Sequence, residues 1–507
     1  MITTKKNLLA IALVSALGLS AAPIAYAQND GEEKTENESE KWDVNNPPYA
    51  LNEVTIKTNE TTWSSLDVAP NGEFMVFDML GDLYKVSTKG GDATPLTQDF
   101  AWNIHPSISP DGKQIAFISD QDGLSNVWVM DIDGSNLRQI TKEKSNLIHS
   151  PKWSPDGEYL VVTKGIMSSR SIPAGEIWMY HKSGGDGLQI KARNSGKRDQ
   201  QNIADPVFSH DGKYIYFTEN TVPGARFEYN RDPLEGIFAI TRYDRETGEE
   251  SRYISGTGGA VVPTPSPDGK YIAFVRRVKD RTALFIKDIK TGVETPLTLE
   301  LERDMQEGFG SEGYFAYFDW MPDSSKIVYW TGGKFHTIDV KDKTTSTMDV
   351  TVEGTVKFAD ALRFDVDVAP DEFDVRMIRW SQMSPNGKSV LFQALGKLYV
   401  RDVKSGKIKR LTKQNDHDEY YPRFSNDGKS IVYTTWNDQD LGTVRVVSAR
   451  GGKGKVITQQ PGHYIEPSFS ADGEKVVFRK FTGGYLLDPK YSVEPGIYVA
   501  DLKEDTV

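Results

Sequence analysis

Nine times between Ser65 and Lys480 the chain returns to one pattern: an apolar stretch, a Ser-Pro-Asp-Gly-like turn, and a second apolar stretch. The clearest copies are HPSISPDGKQIAFIS from His105, SPKWSPDGEYLVVTK from Ser150, DPVFSHDGKYIYFTE from Asp205 and VPTPSPDGKYIAFVR from Val262. SLDVAPNGEFMVFDM from Ser65, YFDWMPDSSKIVYWT from Tyr317, WSQMSPNGKSVLFQA from Trp380, YPRFSNDGKSIVYTT from Tyr421 and EPSFSADGEKVVFRK from Glu466 complete the set. The turn residue (Asn71, Asp111, Asp156, Asp211, Asp268, Asp323, Asn386, Asp427, Asp472) advances by 40 to 63 residues from copy to copy. Asp-Gly and Asn-Gly supply the positive φ that a tight hairpin needs, which explains their recurrence. A third strand such as Val-Trp-Val-Met-Asp and a fourth ending Leu-Thr follow. Four short strands per unit of about 40–45 residues define a β-propeller blade. The fold class is therefore all-β, a propeller of nine repeats.

A ring holds about four to eight blades, so nine in one ring strains the closure rule. The long gap from Lys341 to Arg376 divides them. Residues 49–352 read as a six-bladed propeller, 353–375 as a connector, and 376–507 as three further blades with the last incomplete. One alternative keeps a single ring, with Val54–Lys57 as a displaced fourth strand of the ninth blade. Lys191–Ala204 and Glu219–Leu234 lengthen blades three and four as loops on one face.

Before the repeats, Lys5 and Lys6 precede an apolar run from Leu8 to Leu19, followed by Ala25-Tyr26-Ala27. That three-part pattern reads as a signal peptide spanning 1–27. The run is too short to cross a bilayer, and no other segment is long and apolar enough. Gln28–Pro48 opens with seven acids and two lysines by Asp43, and reads as an acidic disordered linker. With no cysteine in 507 residues, disulfides, thiolate metal sites and cysteine nucleophiles are excluded. A net charge of −12 leaves no basic surface for nucleic acid. Export of a cysteine-free chain points to a bacterial periplasm.

The repeat resembles the TolB-type propeller repeat, which also occurs in tricorn protease and in prolyl oligopeptidase-like enzymes, and the likeness covers nearly all of 50–507. FDMLGDLYKV (Phe77–Val86), PTPSPDGKYIAFVRRV (Pro263–Val278), FDVRMIRWSQMSPNGKSVLFQALGKLYVRD (Phe373–Asp402) and PGHYIEPSFSADGEKVVFRK (Pro461–Lys480) are similar to the N-terminal half of exported bacterial proteins in which such propellers precede an amidohydrolase domain. The resemblance implies that catalysis, with its divalent metal, belongs to a C-terminal barrel without counterpart in this chain. The chain would then hold no cofactor and act as a scaffold or substrate-access region, its partner a downstream hydrolase domain or a periplasmic protein or peptide. Two alternatives stay open: a stand-alone interaction module of the cell envelope comparable to TolB, and the gating propeller of a tricorn-like peptidase.

The seven histidines form no HxH or HExxH arrangement, and Gly-x-Ser-x-Gly and GxxxxGK[ST] are absent. Gly308, Gly310 and Gly313 form GxGxxG without the strand and helix that a dinucleotide loop requires. Asp120–Gly123 and Asp438–Asp440 carry too few oxygen ligands for a calcium loop and read as acidic turns. The repeat register is more informative. Six residues before each turn the side chains are mixed, polar and aromatic apart from Val262; three before it they are apolar and pack between blades. The first set and its adjoining loops nominate a channel rim: His105, His149, Asp205, Arg379, His417, Glu419, Tyr421, His463, Tyr464 and Glu466.

Overall fold

A computed structural model describes residues 43–167, 173–193, 202–221, 237–304, 315–361, 365–481, 494–504 and 506–507. The signal-peptide segment, the GxGxxG loop and the centres of the two blade-lengthening loops lie outside the described residues. Within them the chain forms nine antiparallel meander sheets, one for each repeat. Blade one contains Leu66–Val68, Phe74–Met79, Asp82–Ser87 and Gly91–Pro95 from the innermost strand outward. The fold is a β-propeller of four-stranded blades.

The repeated letters have local causes. The turn glycine has φ of 68–77° in eight copies, among them Gly72 and Gly473; in the sixth, Ser324 takes the same region at 58°. The serine two residues before the turn aspartate donates its hydroxyl to that carboxylate, as Ser109 does to Asp111 at 2.6 Å. The aspartate also accepts from Lys113 N, and the serine from Gln114 N. One small network thus closes seven of the nine hairpins; Ala69 and Met321 replace the serine in blades one and six. The serine bond is the chief reason the carboxyls of Asp111, Asp156, Asp211 and Asp472 lie below their ordinary range.

Blades pack through a fixed pair of positions. Val76 of blade one meets Ile108 and Ile115 of blade two in one cluster, and Val161 of blade three meets Phe208 and Ile215 of blade four in another. Blade six packs on blade one in the same way, since Val328 and Met75 share a cluster. Backbone bonds cross that seam as well: Leu66 N donates to Tyr317 O at 3.1 Å, and Val68 N to Asp319 Oδ2 at 2.9 Å. Six blades therefore close a ring.

After the sixth blade the chain doubles back. Val350–Ala359 lies parallel to Gly91–Ala93 of blade one, and Leu51–Thr58 pairs antiparallel on its other side. Residues 353–359, expected as connector, are thus strand: 350–352 take up the unpaired outer edge of blade one, and the strand runs on past it paired with Leu51–Thr58. Val54 pairs with Val356, so the proposed displaced strand of blade nine belongs to blade one instead. Blade nine has three described strands, Val54–Lys57 not among them. The end of the acidic stretch is ordered too: Asn45 Oδ1 accepts from Phe100 N and Ala101 N at 2.9 and 2.8 Å.

Candidate functional site on the axis of the six-bladed ring

The innermost strands converge on a cavity of about 620 Å³ lined by residues of all six blades. Its mouth carries equivalent turn residues, five prolines (Pro70, Pro110, Pro155, Pro267, Pro322) and His210. In blades one to five the turn glycine faces the ring of a neighbouring blade, Gly112 facing Pro70 and Gly269 facing His210. His210 is therefore a member of the mouth as well as a turn residue.

A bulge shapes the strand beneath. In seven blades the register slips by one residue in the innermost strand, as between His149 and Lys152. The bulged residue is left-handed: His105, Ser150, Asp205, Val262, Trp380, Tyr421 and Glu466 have φ of 48–60°. Glycine is the usual occupant of such a bulge. Proline follows in six of the seven, and its missing N–H suits a position withdrawn from the ladder. The turned N–H finds partners across the blade seam, His105 N on Asp78 Oδ2 at 2.8 Å and Val262 N on Thr218 Oγ1 at 3.0 Å. Recurrence in seven blades makes the strain a property of the repeat.

Three of the ten nominated residues meet here. Tyr317 reaches from blade six across the axis and donates to Asp205 Oδ1 of blade four at 2.8 Å. The same hydroxyl bonds Ser150 Oγ of blade three, which lies 2.8 Å from His149 Nδ1. Thr218 donates to the other oxygen of Asp205 at 3.1 Å, and the His105 ring stands edge-on to Tyr317 with centroids 5.0 Å apart. Beside this network Lys152 of blade three pairs with Asp67 of blade one at 2.9 Å, and Asp67 accepts from Ile108 N at 2.6 Å.

Burial sets the charges. It pushes Asp205 up to about 6, against the hydroxyl bonds from Tyr317 and Thr218. It takes Asp78 to about 7, against the N–H bonds of His105 and Ser65. Burial and then the Asp67 carboxylate raise Asp319. Burial lowers His105 to about 3 and His149 to about 4, so both rings are neutral at pH 7. Burial alone would depress Lys152, but Asp67 and Asp319 outweigh it and hold the ammonium charged. Ser150 beside His149 has the residue types of a nucleophile and base, yet its hydroxyl is tied to Tyr317. The arrangement is an ordered relay that closes the axis and leaves a polar-floored pocket. Among the described residues no three His, Asp or Glu side chains cluster as a metal site.

The other seven nominees lie in blades seven to nine, in structural surroundings. Glu419 is fully buried, accepting from Leu398 N at 2.9 Å and Thr412 Oγ1 at 2.7 Å. His417 Nδ1 lies 3.0 Å from Asp416 Oδ1 and Nε2 3.9 Å from Glu419 Oε1, neither aligned as a hydrogen bond. His463 packs between Trp436 and Phe481, and Tyr464 donates to Gln460 O at 2.9 Å. Tyr421 packs on Trp380 at 4.4 Å, Glu466 pairs with Arg479 at 3.4 Å, and Arg379 is exposed beside Met377. Lys152, Asp67 and Asp319, absent from the nominated set, stand four residues before their turns. Charge at that position in blades one, three and six was the available signal.

Comparison with known proteins agrees with this geometry. The profile of the tricorn protease N-terminal beta propeller domain matches residues 68–173. The uncharacterized peptidase YuxL of Bacillus subtilis is 29% identical over 168 residues, 27% of this chain and 25% of that protein. A tricorn protease homolog of Saccharolobus solfataricus is 22% identical over 362 residues, covering 65% of this chain and 31% of the other. A TolB homolog of Chlorobium chlorochromatii is 27% identical over 169 residues, 32% and 31% of the two chains. The match thus spans a quarter to a third of each relative. The chain is a β-propeller protein, with nine blades among the described residues. Its propeller is similar to TolB and to the N-terminal propeller of tricorn protease.

Proposed function

We propose that this chain is the non-catalytic propeller part of an exported amide-bond hydrolase, and that its six-bladed ring docks a substrate or partner segment at the axial cavity. The carrying observation is the cavity itself, lined by six blades and floored by the Tyr317 network. Concave sites of a few hundred Å³ with few convergent polar groups are the usual form of ligand pockets. Because Tyr317 crosses the axis, the ring suits recognition better than passage, which refines the substrate-access expectation.

Hydrolase partnership is supported by the peptidase and tricorn relatives and by the segments resembling amidohydrolase-linked propellers; both classes cleave carbonyl C–N bonds. The metal and the catalytic groups belong to that partner domain. Periplasmic residence rests on the basic, apolar and small-residue pattern of Lys5–Ala27. No helix among the described residues is long and apolar enough to cross a membrane.

Immunopurification from a periplasmic fraction, with an antibody against blade one, tests this. Amide hydrolysis that co-purifies and is lost on chelation is the expected result. Purified material with no hydrolase activity toward any peptide or amide substrate would overturn the proposal.

A further inference from the structure

Leu51–Thr58 and Val350–Ala359 form a ribbon that outruns the blade carrying it. Their eight paired positions, from Leu51↔Ala359 to Thr58↔Val352, run without a bulge, whereas only Val350–Val352 also pairs with blade one. Beyond Val352 the ribbon is two-stranded, and an isolated pair of strands is marginal in water. Among the described residues nothing pairs with the outer edge of Leu51–Thr58. An unbulged edge with unpaired backbone groups, beside exposed Val54 (45%) and Phe358 (44%), is a template for one more strand.

The side chains select which strand fits. Successive residues point to opposite faces. Glu53, Thr55 and Lys57 share one face with Glu353, Thr355 and Lys357, while Val54 and Ile56 share the other with Val356 and Phe358. Unlike charges already oppose within the ribbon: Glu53 stands across from Lys357, and Lys57 donates to Glu353 at 2.8 Å. In an antiparallel pair, facing residues both turn their backbone groups toward the partner strand or both turn them away. When Leu51–Thr58 lies beside a second copy of itself, facing residues must therefore both be odd-numbered or both even-numbered. The register centred on Thr55 sets Glu53 across from Lys57 at two places. Centring on Val54 or Ile56 pairs neither charge with its opposite, and centring on Glu53 or Lys57 sets like charges face to face. Unlike pairs stabilise a sheet and like pairs destabilise it. With Thr55 at the centre, Glu353 and Lys57 of one copy and Glu53 and Lys357 of the other alternate in sign across four strands. On the opposite face Val54 meets Ile56. An edge guarded by charge repels its own copy, whereas this one attracts it.

We infer that two copies of this chain pair edge to edge through Leu51–Thr58, antiparallel about a two-fold axis at Thr55. The two ribbons become one four-stranded sheet, residues 52–58 of each copy facing 58–52 of the other. Both copies use the same edge, so a single pairing closes the assembly. This goes beyond the proposed hydrolase role and does not depend on it.

Light scattering on the full chain over a concentration series tests the inference. The expected mass is twice that of the chain, falling to the chain mass in Glu53→Lys and in Lys57→Glu, since each sets like charges across the axis. Mixing the two variants brings unlike charges together at both places and should restore the doubled mass, which a folding defect would not allow. Because the chain lacks cysteine, Thr55→Cys should give a disulfide-linked pair under mild oxidation, as facing residues lie within reach of one another. Asn52→Cys, which faces Thr58, should not. A single mass at every concentration, a doubled mass that survives both charge reversals, or no recovery in the mixture overturns the inference. Equal linking of the two cysteine variants would overturn its register.

Discussion

At the scale of single residues, Tyr317 ties the axis together. Its hydroxyl satisfies one oxygen of Asp205 and bonds Ser150, joining blades three, four and six. Tyr317→Phe preserves the ring packing but leaves a buried acceptor unpaired, at a cost of about 1–3 kcal/mol. Chemical denaturation measures this, and an unchanged midpoint would show the network to be dispensable. Asp205 makes a pH prediction. Its folded pKa of about 6 lies above the ordinary 3.8, so the native state holds a proton that the unfolded chain releases. Stability therefore falls as pH rises between about 4 and 6, and Asp78 extends that fall toward 7. His105 and His149 act oppositely: their contribution is present above 6.5 and is lost as pH falls toward 4 and 3. Asp205→Asn should flatten the fall between pH 4 and 6 by on the order of 3 kcal/mol, read from denaturation midpoints across that range. A parent-like slope in the variant would refute it. Only part of this site was legible in the sequence. His105 and Asp205 stood out by register and His149 by adjoining it, but Lys152 could not be matched to Asp67 before ring closure placed blades three and one together.

At the scale of elements, the hairpin turn was fully legible, because Asp-Gly fixes a backbone sign that few other pairs allow. The bulge was not. A residue before proline is ordinarily extended, yet six such residues here are left-handed, held by the two-against-one register and by acceptors on the neighbouring blade. The strap over blade one was also hidden, since its strands join residues about three hundred positions apart. Val352 in the strap is fully buried and pairs with Ala93, whereas Leu51–Thr58 is mostly exposed at the outer edge. Val352→Pro should lower stability by about 3 kcal/mol or more through lost packing and backbone bonding. Deleting residues 51–58 should cost less, because the ring closes without them. Thermal melts of the two variants decide the order; a larger loss from the deletion would mean that the outer strand, not the strap, secures the seam.

At the scale of the whole molecule, the division of nine repeats follows from which faces are covered. Among the described residues, every seam of the first ring is made by residues before 360, ending with the strap, and none draws on blades seven to nine. The stretch after it is open: Val368 is 90% exposed and Phe373 63%, in a run without regular structure from 365 to 378. Backbone with few buried contacts is the usual site of proteolytic nicking. Limited chymotrypsin digestion should therefore cut first at Phe373, releasing a fragment that holds all six closed blades. That fragment should unfold in one cooperative transition, because its core clusters and seam hydrogen bonds are intact. Blades seven to nine, with Met383 52% and Val477 38% exposed on their two outer faces, should yield to further cleavage much sooner. Equal survival of both fragments would require those faces to be covered after cleavage, and a collapse of the first fragment would mean that the six-bladed ring depends on contacts beyond its own seams.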